Sequence, residues 1–310
     1  VANFLQRGNK FSIGGEFAKN TLFLFGGSMV ANIAAYLFHL IIGRQVSVGV
    51  YGEAESIISL ITIVSVPAMS LSMVATKYAA ACKADGDNAG SREIWKYLNQ
   101  KVLKFGLPIF VLMVLLTPII GNFLNIENSW ALIAVWFVMY ISFFNSINTG
   151  LLNGWQKFKK VSFNNGFIAL VKLISGIALV SFGFALNGIV GSLAFSMVAG
   201  YILTIFMLRI NILKKTNESE THCESKVNFQ TLKKFILPVF IGNLAIAILG
   251  NADVVLAKHS LDFLLAGQYG ALTIVSKIIF FGTGIIATVL FSMSAENNHK
   301  GDSSLHILKT

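Results

Sequence analysis

Apolar residues in this sequence gather into stretches of about 20 or more, the length over which an α-helix rises through roughly 30 Å of hydrocarbon. Transmembrane β-strands are half as long and alternate in polarity, so a barrel is excluded. Composition agrees: 55% of the 310 residues are hydrophobic and 12% are charged, against about 25% charged in soluble domains. The chain is expected to be an all-α polytopic membrane protein. Eight spans can be drawn, at about 20–43, 53–76, 102–124, 130–152, 161–184, 187–208, 235–257 and 267–292. Two longer polar segments separate them, a turn-rich loop from Lys77 to Lys101 and a linker from Arg209 to Gln230.

The basic residues test this map, because cytoplasmic loops are enriched in Lys and Arg. With the N-terminus inside, 20 of the 24 fall on the inner side, against Arg44 and Lys258 outside and Lys172 and Lys277 within spans. The net charge of +10 therefore reads as an orientation signal, not as the gathered basic face that nucleic-acid binding requires. Cys82 and Cys223 fall in segments placed on the cytoplasmic side, so no disulfide framework is expected. A polar stretch, Gln6 to Asn20, precedes the first span, and no cleaved signal peptide is expected.

An internal repeat is visible. Gly49-Val-Tyr51-Gly52 follows the first span and Gly267-Gln-Tyr269-Gly270 follows the seventh, each a few residues after a helix-terminal basic residue, Arg44 or Lys258. Repeated helical bundles are a common plan for membrane transporters. The expected organisation is a complete six-helix lobe at 1–209, a linker at 210–230 and, at 231–310, the first two helices of a second lobe, which four further helices beyond Thr310 would complete.

Asn32-Ile-Ala-Ala-Tyr36, Gly43-Arg44, Tyr51-Gly52, Leu151-Leu-Asn153-Gly154 with Gln156-Lys-Phe158, and Asn251-Ala-Asp253 followed by Ala266-Gly267-Gln-Tyr269 resemble the oligosaccharide flippases. These are polysaccharide exporters of the MOP superfamily, related to MATE exporters and lipid II flippases. The resemblance implies two six-helix lobes facing each other across a cavity and working by alternating access. It also implies a polyprenyl-diphosphate-linked oligosaccharide as substrate, in a bacterial inner membrane with the N-terminus cytoplasmic, and a coupling cation, H+ or Na+, as a possible partner. No nucleic acid partner is expected.

Ionisable side chains within spans are costly in hydrocarbon and therefore mark candidate sites. Lys172 and Lys277 are candidate counter-charges for the diphosphate, since an ammonium is a suitable point charge for phosphate. The bland alternative pairs Lys277 with Asp253 or lets each lysine snorkel to an interface. Arg44 is a phosphate candidate or an interfacial anchor. Asn32, Asn145 and Asn148 are cavity-lining candidates. Asp253 and His39 are coupling-ion candidates, imidazole being a group that exchanges protons near neutrality.

A stripe of Ser56, Ser59, Thr62, Ser65, Ser72 and Thr76 on the second span lines a cavity or tightens helix packing. Pro67, Pro108, Pro118 and Pro238 are expected to bend or interrupt helices. A cation-coupled multidrug exporter is the nearest alternative. A glycan polymerase or acyltransferase is less favoured: no acid–base–nucleophile set is visible, outer loops are short, and neither metal-ligand spacing nor a glycine-rich phosphate cradle occurs, so no metal or cofactor is expected.

Overall fold

The structure, a computed structural model, describes residues 26–211 and 229–276. The described residues form helices joined by short turns. Helix α1 is Gly26–Gln45. Ser47 then caps α2, Val48–Val64, its hydroxyl accepting the Val50 N–H. Pro67 lies in the first turn of α3, Val66–Ala84. Lacking an N–H, proline cannot continue the ladder of a preceding helix, so α2 and α3 are interrupted at Ser65.

Together α2 and α3 cover 37 residues, roughly 55 Å of helix at 1.5 Å per residue, well beyond the hydrocarbon thickness. The segment Lys77–Lys101, expected as a loop, is therefore mostly helical. The helix runs on past the apolar stretch to Ala84, turns at Asp85-Gly86, with Gly86 at φ 70°, and resumes at Asp87. The Asp87 carboxylate accepts the Gly90 N–H at 2.8 Å and caps α4, Asn88–Lys101. Leaving hydrocarbon does not end a helix, because backbone hydrogen bonding continues in water wherever propensity and a cap allow. Cys82 is consequently a buried helical residue, and Cys223 lies outside the described residues.

A π-helical turn, Val102–Gly106, joins α4 to α5, Leu107–Leu115. Then come α6, Thr117–Leu124, and α7, Ser129–Gly154. Pro108 and Pro118 occupy the first turns of α5 and α6. The chain continues through α8, Phe158–Ser181, and α9, Ala185–Asn211. Helix α10, Phe229–Ser260, carries Pro238 in its interior, and α11 is Phe263–Ser276. Among the described residues seven helical segments are long and apolar enough to cross a membrane. Residues 212–228, the core of the expected linker, and Lys277 lie outside the description.

Large apolar side chains face outward, Leu115, Phe182 and Leu249 being 70%, 80% and 84% exposed. On a soluble protein that would be an association surface; on spanning helices it is the lipid-facing wall. Two clusters fill the interior. Phe38, Ile42, Ile57, Leu124, Trp136 and Ile189 pack at the end where α1 gives way to α2, here called the first end. Val74, Ala75, Leu98, Ile147, Leu151 and Leu208 pack at the opposite end.

Helix α3 meets α7 through small residues. A Cβ on Gly150 would lie 2.5 Å from the Ser72 carbonyl oxygen, and one on Gly154 2.5 Å from the Ala79 Cβ. Thr76 donates to the Ser72 and Gly150 carbonyls at 2.8 and 3.1 Å. Ser72 and Thr76, at the α3 end of the polar stripe, thus serve close helix approach. Gly150→Val is expected to destabilise the protein by about 1–3 kcal/mol through overpacking, measured as a lowered thermal transition in detergent.

Candidate functional site

Tyr51 and Glu55 lie four residues apart, one helical turn, so α2 presents both on one face. That face meets α1 at His39. The Nδ1 of His39 is 2.6 Å from Glu55 Oε1 and 3.1 Å from the Tyr51 hydroxyl. Glu55 is 1% exposed and Tyr51 5%, while the His39 side chain retains 17%. Behind them, from α8, the half-buried Lys172 places its Nζ 4.6 Å from the centroid of Phe38, over the ring face. It is close enough to Glu55 for electrostatic attraction. Gly176, one turn further along α8, makes room for Phe38: a Cβ there would lie 2.6 Å from its ring. Three helices long and apolar enough to cross a membrane therefore hold an imidazole, a phenol, a carboxylate and an ammonium in one cluster.

A cavity of about 240 Å³ opens beside this cluster. Tyr36, His39 and Gly43 of α1, Val48 and Tyr51 of α2, and Gly267 of α11 border it. His39 and Tyr51 belong to both cluster and cavity, so the polar groups border the cleft between α1, α2 and α11.

The same local design recurs in α10 and α11. His39-Leu-Ile-Ile-Gly-Arg44 aligns with Asp253-Val-Val-Leu-Ala-Lys258, and the Tyr269 hydroxyl donates to Asp253 Oδ2 at 3.1 Å. In each copy the motif tyrosine reaches back to the titratable residue five positions before the terminal base. Tyr51 reaches back 12 residues and Tyr269 16, the difference being one helical turn. The two motifs also touch: a Cβ on Gly52 would lie 2.5 Å from the Gly267 Cα.

The other candidates are dispersed. Asn148 is fully buried, its Oδ1 accepting from Trp95 Nε1 at 2.9 Å and its Nδ2 donating to Thr204 Oγ1 at 3.2 Å. Thr204 donates to Asn145 Oδ1 at 3.1 Å. This network ties α4, α7 and α9 together. Asn148→Leu should leave Trp95 and Thr204 short of a partner and cost about 1–3 kcal/mol, read as a lowered melting temperature. Asn32 and Arg44 are exposed, and Asp253 is exposed apart from its Tyr269 bond. Lys258, the counterpart of Arg44 in the repeat, is 3% exposed and sits 3.5 Å from Glu53 Oε1.

Sequence reasoning passed over Glu53, Glu55 and the role of Tyr51. Drawing the second span from residue 53 placed both acids at the membrane edge. Ser47, the residue that caps α2, was the available signal, because a helix starting at Val48 carries Glu55 two turns inward. Among the described residues no group of three or more His, Cys, Asp or Glu residues is arranged to hold a metal ion.

Comparison with known proteins accords with this architecture. A multidrug resistance MATE family transporter of the MOP superfamily, in an inward-facing conformation, superposes with a TM-score of 0.62 at 14% identity. The match covers 85% of this chain and 62% of that transporter, so this chain spans less than two thirds of its length. A MOP superfamily transporter from Pyrococcus furiosus, described as having a binding pocket of reversed polarity, matches at TM-score 0.48 and 17% identity, over 82% of this chain and 62% of its own. No curated protein sequence matches significantly. The fold is that of the MOP superfamily transporters, and the chain is a multi-pass membrane protein. The sequence profile described as "Polysaccharide biosynthesis protein" matches residues 17–297, nearly the whole chain, which therefore belongs to the polysaccharide biosynthesis protein family.

Proposed function

We propose that this chain is part of a flippase that moves a polyprenyl-diphosphate-linked oligosaccharide across a bacterial inner membrane for cell-surface polysaccharide assembly. Its N-terminus is cytoplasmic, in keeping with the lysine and arginine bias of the loops, and it works by alternating access without covalent chemistry. The observation that carries this reading is the His39–Glu55–Lys172 cluster on helices long and apolar enough to cross a membrane, in a family named for polysaccharide biosynthesis. Within it Lys172 is the counter-charge for the diphosphate and Glu55 holds that ammonium until substrate arrives. Lys277 has the same role in the second lobe, Arg44 receives the head group at the first end, and the exposed Asn32 borders the sugar path, while Asn145 and Asn148 brace α4, α7 and α9. His39 and Asp253, each bonded to a motif tyrosine, exchange the coupling cation, H+ or Na+.

Glu55 and Asp253 favour a second reading, export of a cationic compound, because acids in a cleft attract cations. The two separate on Lys172. Lys172→Glu in the full-length protein should reduce export of the lipid-linked glycan at least tenfold at unchanged membrane abundance. The measurement is inner-leaflet accumulation of lipid-linked repeat units in cells carrying the variant. Unchanged glycan export, together with lost drug resistance in a Glu55→Gln strain, would favour the cation exporter.

A further inference from the structure

Lys258 and His259 are adjacent, yet each holds a different element of the first lobe. Lys258 reaches α2, 3.5 Å from Glu53, and its Nζ lies 5.1 Å from the Phe263 ring centroid. His259 turns to the end of α6: its ring stacks on Phe123 at 4.1 Å and 10°, and its Nδ1 lies 2.5 Å from the Phe123 carbonyl oxygen, donating to it. Asn125, in the left-handed conformation at φ 51°, donates to the His259 carbonyl at 3.2 Å. Beside these polar contacts runs a glycine seam, with Gly49 against Phe263 and Gly52 against Gly267. All of them join the start of the second lobe to the first lobe at the first end.

The repeat shows why this arrangement is one-sided. Arg44 stands where Lys258 stands, but it is exposed. Gly52 corresponds to Gly270, so the counterpart of Glu53 is Ala271, which has no charge to offer. The chain spends a nearly buried ion pair, costly to desolvate, on one copy only. Such a pair is stable while the lobes are closed and becomes two hydrated ions when they part, so its net preference between states is small and switchable.

We infer that Lys258–Glu53 and His259–Phe123 form a clasp that closes the two lobes at the first end of the membrane and releases when that end opens. The inference rests on the alternating-access reading above. It is tested on the full-length protein in lipid nanodiscs, with Cys82→Ser and Cys223→Ser and spin labels at Phe182→Cys and Leu261→Cys, both exposed positions at the first end. Pulsed dipolar spectroscopy of the otherwise native protein should give a predominant short distance. Glu53→Gln and His259→Ala should each shift at least a third of the population to longer distances, and Glu53→Lys with Lys258→Glu should restore the short one. A distribution that Glu53→Gln and His259→Ala both leave unmoved, in monodisperse protein, overturns the clasp even when glycan export is intact. Distances that shift as expected, in a protein whose loss leaves lipid-linked glycan export unchanged, retain the clasp and remove the flippase reading.

Discussion

Glu55→Ala is expected to lower the unfolding free energy by about 1–3 kcal/mol, the cost of leaving buried polar groups without their hydrogen-bond partner, and to abolish export. Glu55 is 1% exposed and stands 2.6 Å from His39. Its removal leaves the Lys172 ammonium between Phe38 and a void, without the carboxylate that attracts it. Neutralising both charges as Glu55→Gln with Lys172→Met should recover most of the stability, since paired removal deletes the desolvation cost with the attraction. Under the proposed function export should stay lost, because Lys172 is the counter-charge proposed for the anionic head group. Thermal unfolding of purified full-length protein and glycan export in cells read the two effects separately. A double variant that regains both would mean that the cluster only holds α1, α2 and α8 together.

Gly267→Val should be nearly as damaging for a different reason. A Cβ at Gly267 would lie 2.1 Å from the Val48 carbonyl oxygen and 2.6 Å from its carbon, both backbone atoms. No rotamer change relieves that contact, so the start of α11 has to move away from α2. Overpacking of this kind costs about 1–3 kcal/mol, and because the contact joins the start of α11 to the start of α2, far apart in sequence, the expected functional effect exceeds the stability effect. Export should fall at least tenfold while the melting temperature drops by a few degrees. Gly242→Ala is the matched control: a Cβ there meets nothing within 4 Å, and export should stay within twofold of the native level. If both variants export equally, the glycine seam has no part in the cycle.

The helical plan was legible because a spanning segment must be apolar over a length set by the bilayer, and that requirement is written residue by residue. The expected spans at 130–152, 161–184 and 187–208 correspond to α7, α8 and α9 within a few residues. The second and third spans were drawn too short, because hydropathy reports where lipid begins and says nothing of where hydrogen bonding stops. Thus Val48–Ala84 and Asn88–Leu115 run beyond their apolar windows. Pro67, Pro108 and Pro118 lie at helix breaks, in the first turns of α3, α5 and α6, whereas Pro238, also expected to bend or interrupt its helix, lies inside the uninterrupted α10.

Side-chain roles were less legible. Asn145 and Asn148 were singled out because a carboxamide is costly in lipid, and that cost is met by Trp95 and Thr204 on other helices. Arg44 and Lys258 look equivalent in sequence, yet among the described residues only Lys258 meets an acid, Glu53, 205 residues away. The amino-acid order alone determined that this chain crosses a membrane as helices, which way its basic loops bias it and that its beginning is echoed near its end. Those properties depend on solvent, length and charge, and each is local. Only the tertiary structure decided that His39, Tyr51, Glu55 and Lys172 share one cluster and that the two glycine motifs press against each other. Such meetings depend on how helices distant in sequence rotate and cross, which is set by packing summed over every helix at once.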